Sequence, residues 1–212
     1  MYFAIEGVIG VGKTTLARLL QPAFQANLLL EVFEENPFLS DFYGDRARYA
    51  FQTQIFFLLS RYHQQHSNIP RLLATGPVLI SDYTFEKDAL FASINLKGDE
   101  LLMYQRVHEA LAEKIPTPDL IVYLRAKTDV LMQRIAMRDR PYERQMEYDY
   151  IDELNRAYDE FFLNTHSRTI PVLMIDFEPL DTVRNTADLN LVENRIRQAL
   201  LLAPFQPELP LG

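Results

Sequence analysis

The chain has 212 residues, 48% hydrophobic, 12% aromatic and 24% charged, a globular composition with enough length for one core-forming domain and unlike that of a disordered chain. Its 21 Lys and Arg against 29 Asp and Glu leave a net charge of −8, which argues against a general nucleic-acid binder, because binding a polyanion needs a basic footprint. The absence of cysteine excludes a disulfide scaffold and any thiolate metal site, and fits a cytoplasmic protein. In chain order, Met1 passes straight into an apolar run, Tyr2–Glu6, with no basic leader ahead of it, and this run reads as a strand. A glycine-rich turn follows, then a helical pattern over 15–24 and a second strand over 28–33. Residues 46–68 keep Tyr49, Gln52, Phe56 and Leu59 at helical spacing, which predicts a long helix ending before Pro70. A strand over 77–82, a helix over 99–115 stopped by Pro116 and Pro118, and a strand over 119–124 come next. Helices over 129–137 and 148–164 flank a basic segment, 138–144, that reads as a loop, and 172–176 is the fifth strand. No apolar run approaches the about 20 residues of a bilayer span, so no membrane partner is expected. Strands separated by helical intervals predict a three-layer α/β/α domain over 1–203 with a five-stranded parallel sheet. The tail 204–212, with three prolines, cannot continue a helix.

The turn after the first strand, Gly7-Val-Ile-Gly10-Val-Gly12-Lys13-Thr14, has the spacing GxxxxGK[ST] in its required strand–turn–helix setting. Gly7, Gly10 and Gly12 let the backbone curl until its N–H groups converge on an anion, and the next helix, whose pattern opens at Thr15, adds its positive end. Lys13 would address donor phosphates and the Thr14 hydroxyl a magnesium ion. Residues 125–144 carry six Lys and Arg against three acids in an otherwise acidic chain, which fits either a local anion site or a solvated helix face.

Phosphoryl transfer to an alcohol needs more than a phosphate cradle: a carboxylate near the acceptor hydroxyl, an acid supporting the metal, and cations around the moving group. Glu31 lies near the carboxyl end of the second strand and Asp82 ends the third, where open α/β sheets bind ligands. Each alone is equally compatible with a solvated strand end or a helix cap. Arg134, Arg138 and Arg140 supply the cations.

Four segments carry a resemblance: residues 31–39 (Glu-Val-Phe-Glu-Glu-Asn-Pro-Phe-Leu), 42–45 (Phe-Tyr-Gly-Asp), 49–54 (Tyr-Ala-Phe-Gln-Thr-Gln) with 59–61 (Leu-Ser-Arg), and 134–143 (Arg-Ile-Ala-Met-Arg-Asp-Arg-Pro-Tyr-Glu). Together with the phosphate loop, the chain resembles the deoxynucleoside kinases over roughly its first 165 residues. That resemblance implies an ATP- and Mg²⁺-dependent 5′-kinase of a P-loop fold with an arginine-bearing lid at about 138–146. It makes Glu31 the base for the 5′-hydroxyl, Asp82 the magnesium-supporting acid, and Tyr43 and Glu143 the holders of the sugar 3′-hydroxyl. It makes Gln54 the base reader, Arg61 the base-pocket arginine, and Asp88, counted from Asp82, the acidic partner of Arg61. Arg134, Arg138 and Arg140 become lid residues over the donor phosphates, and a homodimer through the helices around 46–66 and 99–115 is implied. The similarity to bacterial purine-type members implies deoxyadenosine, then deoxyguanosine, as the acceptor.

One departure stands out. The family usually has Asp-Arg-Ser or Glu-Arg-Ser where this chain has Asp82-Tyr83-Thr84, so either a lid arginine does the work of the missing one, the more economical reading, or the chain belongs to a divergent branch with altered substrate handling. Two alternatives remain open at this point: a nucleoside monophosphate kinase of thymidylate kinase type, and a non-catalytic nucleotide-binding module. The first would need extra cations for the acceptor phosphate. The second would have no use for Glu31, Asp82 and the lid arginines together.

Overall fold

The computed structural model describes residues 1–32, 36–165 and 170–202. The predicted strand end at residue 33, part of the 31–39 motif, and the tail lie outside them. Five strands, β1 (Tyr2–Glu6), β2 (Ala26–Leu29), β3 (Val78–Ser81), β4 (Leu120–Arg125) and β5 (Val172–Asp176), form one parallel sheet in the order β2-β3-β1-β4-β5. The central strand β1 is buried at every residue, as are the first five residues of β4. A strand with both alternating faces covered requires layers on both sides, and parallel strands require long crossovers, so the helices form those layers.

Helix α1 (Lys13–Phe24) joins β1 to β2; α2 (Leu39–Gly44) and α3 (Arg46–Thr75) lie between β2 and β3. Helices α4 (Lys87–Asn95) and α5 (Gly98–Ala112) precede β4. After β4 come α6 (Thr128–Arg138), a 3₁₀ turn at Pro141–Glu143, and α7 (Tyr148–Asp159), which runs on into a π turn over Glu160–Thr165. Helix α8 (Thr186–Ala199) follows β5. The sequence pattern did not single out α2, α4 or α8.

Three predicted boundaries shift for physical reasons. Strand β2 stops at Leu29, because the chain turns there: Gln64 donates to the Leu30 carbonyl at 2.8 Å and the Glu31 N–H goes to the Asp82 carboxylate at 2.8 Å. Glu31 therefore follows the strand and projects beyond the sheet edge. Helix α3 does not end before Pro70 but runs through it to Thr75. A proline inside a helix costs about 3 kcal/mol, but Ile69 beside it is fully buried and Asn27 anchors the last turn by donating to the Leu72 carbonyl at 2.8 Å. The basic segment is only partly loop: α6 extends to Arg138, reverses at Asp139 (φ 47°), and re-enters a 3₁₀ turn.

Candidate active site

The order β2-β3-β1 brings three strand ends side by side, and each delivers one part of the site. From β1 comes the phosphate loop. Gly7 has φ +147°, and a Cβ there would sit 2.6 Å from the Leu124 carbonyl oxygen; Gly10 has φ +87°, and a Cβ would sit 2.9 Å from the Leu131 carbonyl oxygen. Neither position accepts a side chain, so the loop can press against β4 and α6 only with glycine. Gly12 caps α1 in the left-handed region. The Lys13 ammonium arches back over the loop to the Gly7 and Val8 carbonyls at 2.7 and 3.2 Å. Thr15 is exposed.

Beside the loop, the Thr14 hydroxyl donates to Asp82, whose other oxygen accepts the Glu31 N–H. Burial, first, raises the Asp82 pKa, with the Thr14 bond opposing it. Glu31 sits between two cations. Arg61 donates to Oε1 through Nε at 2.8 Å and through Nη2, and Lys87 reaches Oε2 at 2.7 Å. Burial alone would raise the Glu31 pKa, but Arg61 and then Lys87 outweigh it and hold the carboxyl far below the usual carboxylate range. Arg61 continues on its other side to Asp88, which is fully buried.

A cleft opens above these groups. Of the expected residues, Gly10, Lys13, Thr14, Glu31, Tyr43, Gln54, Arg61, Arg138, Arg140 and Glu143 all line it. Asp82 and Asp88 stand behind it, holding Thr14 and Arg61. Arg134 is not in its lining; it donates to the Val11 carbonyl at 3.0 Å and braces the phosphate loop from outside. Gln54 is 2% exposed, and its amide oxygen has no hydrogen-bond partner among the described residues. At the cleft mouth Glu143, 5% exposed, binds Arg138 at 3.1 and 2.5 Å and lies 3.7 Å from Arg140.

Two residues escaped the sequence reading. Glu6, fully buried at the end of β1, accepts the Thr84 N–H at 2.5 Å and hydroxyl at 3.0 Å and the Gly7 N–H at 3.2 Å, tying the phosphate loop to the segment after β3. An acid closing an otherwise apolar strand was its visible signal. Lys87, at the first turn of α4, lines the cleft with Phe91 four residues on. That i, i+4 pairing becomes visible only once α4 is known. Tyr83 itself is buried and turned away, its hydroxyl donating to Gln64 at 2.5 Å.

The sequence profile of the deoxynucleoside kinase family matches residues 3–201. A deoxyguanosine kinase of Bacillus subtilis is 32% identical over 202 residues, spanning 94% of this chain and 98% of the relative. A deoxyadenosine kinase of Dictyostelium discoideum is 36% identical over 182 residues, spanning 83% and 72%. The structure of a deoxyadenosine kinase from M. mycoides with the products dCMP and a flexible dCDP superposes with a TM-score of 0.80 at 25% identity, covering 93% of this chain and all of the other. The same enzyme with bound dCTP gives 0.79 at 26% identity. With the phosphate loop, the carboxylates and the arginines gathered around one cleft, the chain belongs to the deoxynucleoside kinase family.

Proposed function

We propose that this kinase transfers the γ-phosphoryl group of ATP, with Mg²⁺, to the 5′-hydroxyl of a purine deoxynucleoside, deoxyadenosine first and deoxyguanosine second. The observation that carries recognition of a base is the buried, unpartnered amide oxygen of Gln54, which calls for an N–H donor on the substrate. Adenine, guanine and cytosine each offer such a donor, so Gln54 supports base reading as such, and the purine order rests on the similarity to purine-type members. Relatives named deoxyadenosine and deoxyguanosine kinases agree with a purine acceptor.

With the base at Gln54 and the 3′-hydroxyl between Tyr43 and Glu143, the 5′-hydroxyl faces Glu31. As its oxygen bonds to the γ-phosphorus, the bond from that phosphorus to the β–γ bridging oxygen breaks, ADP leaves with the electron pair, and the hydroxyl proton passes to Glu31. Gly7, Gly10, Gly12, Lys13, Thr14 and Thr15 hold the donor phosphates. Residues 138–146 form a lid that brings Arg138 and Arg140 over them, within one domain over 1–203. Thr14 and Asp82 fit a hard cation as an adjacent hydroxyl and carboxylate. Among the described residues no cluster of three acidic or histidine side chains could hold a metal alone, so phosphate oxygens and water would complete the shell. Bound there, magnesium would neutralise charge on the phosphates. No helix among the described residues is long and apolar enough to cross a membrane; the homodimer and the free-nucleoside acceptor rest on the family resemblance.

Incubation with ATP, Mg²⁺ and each of the four deoxynucleosides, and separately with their monophosphates, tests this reading. Conversion of deoxyadenosine fastest, deoxyguanosine next and no monophosphate is expected. Turnover of monophosphates alone, or preference for a pyrimidine, would overturn it.

A further inference from the structure

Asp82 is followed by Tyr83, a neutral residue whose hydroxyl is directed to Gln64, and the lid arginines are engaged with a carboxylate at the cleft mouth. A moving phosphoryl group spreads negative charge over its oxygens, and a water-poor site must offset it. The cleft floor already holds such a cation. The Lys87 side chain is 4% exposed, and its ammonium is 2.7 Å from the Glu31 carboxylate and lies over the Tyr83 ring, 5.3 Å from nitrogen to ring centre. It faces the same cleft as Lys13 and the turn of the phosphate loop at Ile9 and Gly10.

The geometry points to Lys87 as a catalytic residue: its ammonium, held beside Glu31 before the donor arrives, contacts the transferring γ-phosphoryl group on the acceptor side, opposite Lys13. The proposal rests on the kinase reading above. Its position follows from the site's own chemistry. The phosphorus must pass between donor phosphates, cradled by the loop and Lys13, and the acceptor hydroxyl, at Glu31. A cation within hydrogen-bond distance of Glu31 and open to the cleft stands beside that path. Both ammonium groups line the one cleft, so an anionic phosphoryl group between them meets a cation on each side. Contact with it also draws Lys87 off the Glu31 carboxylate, leaving Glu31 a stronger proton acceptor once the donor is in place. In this arrangement a lysine four positions after Tyr83, on the first turn of α4, supplies the charge that the tyrosine cannot.

The test compares wild type, Lys87→Met, Lys87→Arg and Lys87→Ala in single-turnover phosphorylation of deoxyadenosine, with ATP binding measured separately by equilibrium dialysis. Lys87→Met is expected to lose about 10²-fold or more in transfer rate, the scale of one lost transition-state donor, with ATP affinity within about threefold of wild type because that charge is needed most in the transition state. Lys87→Arg should keep the rate within about tenfold. Lys87→Ala should regain rate in proportion to added propylammonium, a response that a packing role would not give, and this arm decides the matter should the Met variant fail to fold. A Lys87→Met rate within threefold of wild type, or a folded Lys87→Ala indifferent to the amine, overturns the proposal while leaving the kinase reading intact. A wild type that phosphorylates no deoxynucleoside overturns both.

Discussion

Glu31 is asked to accept a proton while two cations hold it ionised, and a carboxylate so stabilised is a weak base. In the proposed reaction its value lies in position and timing: it orients the 5′-hydroxyl and gains basicity as its partners shift to the substrate. Glu31→Gln keeps the shape and hydrogen bonding but cannot take the proton. It is expected to lose about 10²-fold or more in kcat with ATP binding retained; normal turnover in a steady-state assay would put the base elsewhere. Arg61 has a different weight. It ties Glu31 to Asp88, whose carboxylate is fully buried. Removing one partner of a buried pair leaves the other charge uncompensated, at a cost of about 3–5 kcal/mol. Arg61→Met should therefore lower the urea midpoint strongly, and Arg61→Met with Asp88→Asn should recover much of it. A single variant as stable as wild type would mean that Asp88 finds another partner. The resemblance implied the pairing of Arg61 with Asp88, but not its second commitment to Glu31, because nothing in a linear pattern shows that the two acids approach it from opposite sides.

At the scale of elements, α4 and α5 decide where Lys87 points. His108 of α5 stacks on Phe85 at 4.8 Å and 12°, just before α4 begins, and its Nε2–H donates to the Phe85 carbonyl at 3.3 Å. Burial lowers the His108 pKa from 6.5, only partly opposed by the Phe85 bond and by Glu86 and Glu109. The folded protein thus resists protonation there while the unfolded chain accepts it. The stability involved is fully present above pH 6.5 and is lost as pH falls through 6.5 towards the lower folded value, by at most about 1.4 kcal/mol per pH unit. Thermal unfolding between pH 7 and 5 should show wild type losing more stability than His108→Gln; parallel losses would show that His108 titrates alike in both states. The strands were legible because each is a short apolar run, and β1 and β5 fall on their predicted residues. Helix α4 was not, since Lys87, Asp88 and Asn95 within nine residues give it a poor apolar pattern; its burial comes from ion pairs and contact with α3, α5 and α7, which are long-range facts.

For the whole molecule, the chain places Glu31, Asp82 and the phosphate loop at the ends of β2, β3 and β1, three adjacent strands far apart in sequence. The resemblance could assign these roles, but the adjacency that lets Glu31, Asp82 and Thr14 bond in series belongs to strand order. The outer surface raises the question of assembly. Helices α3 and α5 pack on each other, and their outward sides carry Leu59 at 43%, Leu102 at 55% and Met103 at 56% exposure. Scattered single apolar residues need no explanation, but these lie on the two long helices through which the family resemblance implies a homodimer. A stable interface covers about 800 Å² on each partner, and a homodimer through these helices would put Leu59, Leu102 and Met103 in it. Light scattering should give about twice the chain mass of 24.7 kDa at micromolar concentration. Met103→Glu would bury a charge against its symmetry mate in that interface, so it should shift the mass to that of one chain while leaving the cleft, and single-turnover transfer, close to wild type. A wild type that scatters as one chain, or a Met103→Glu variant that stays at double mass, would remove these helices as the contact.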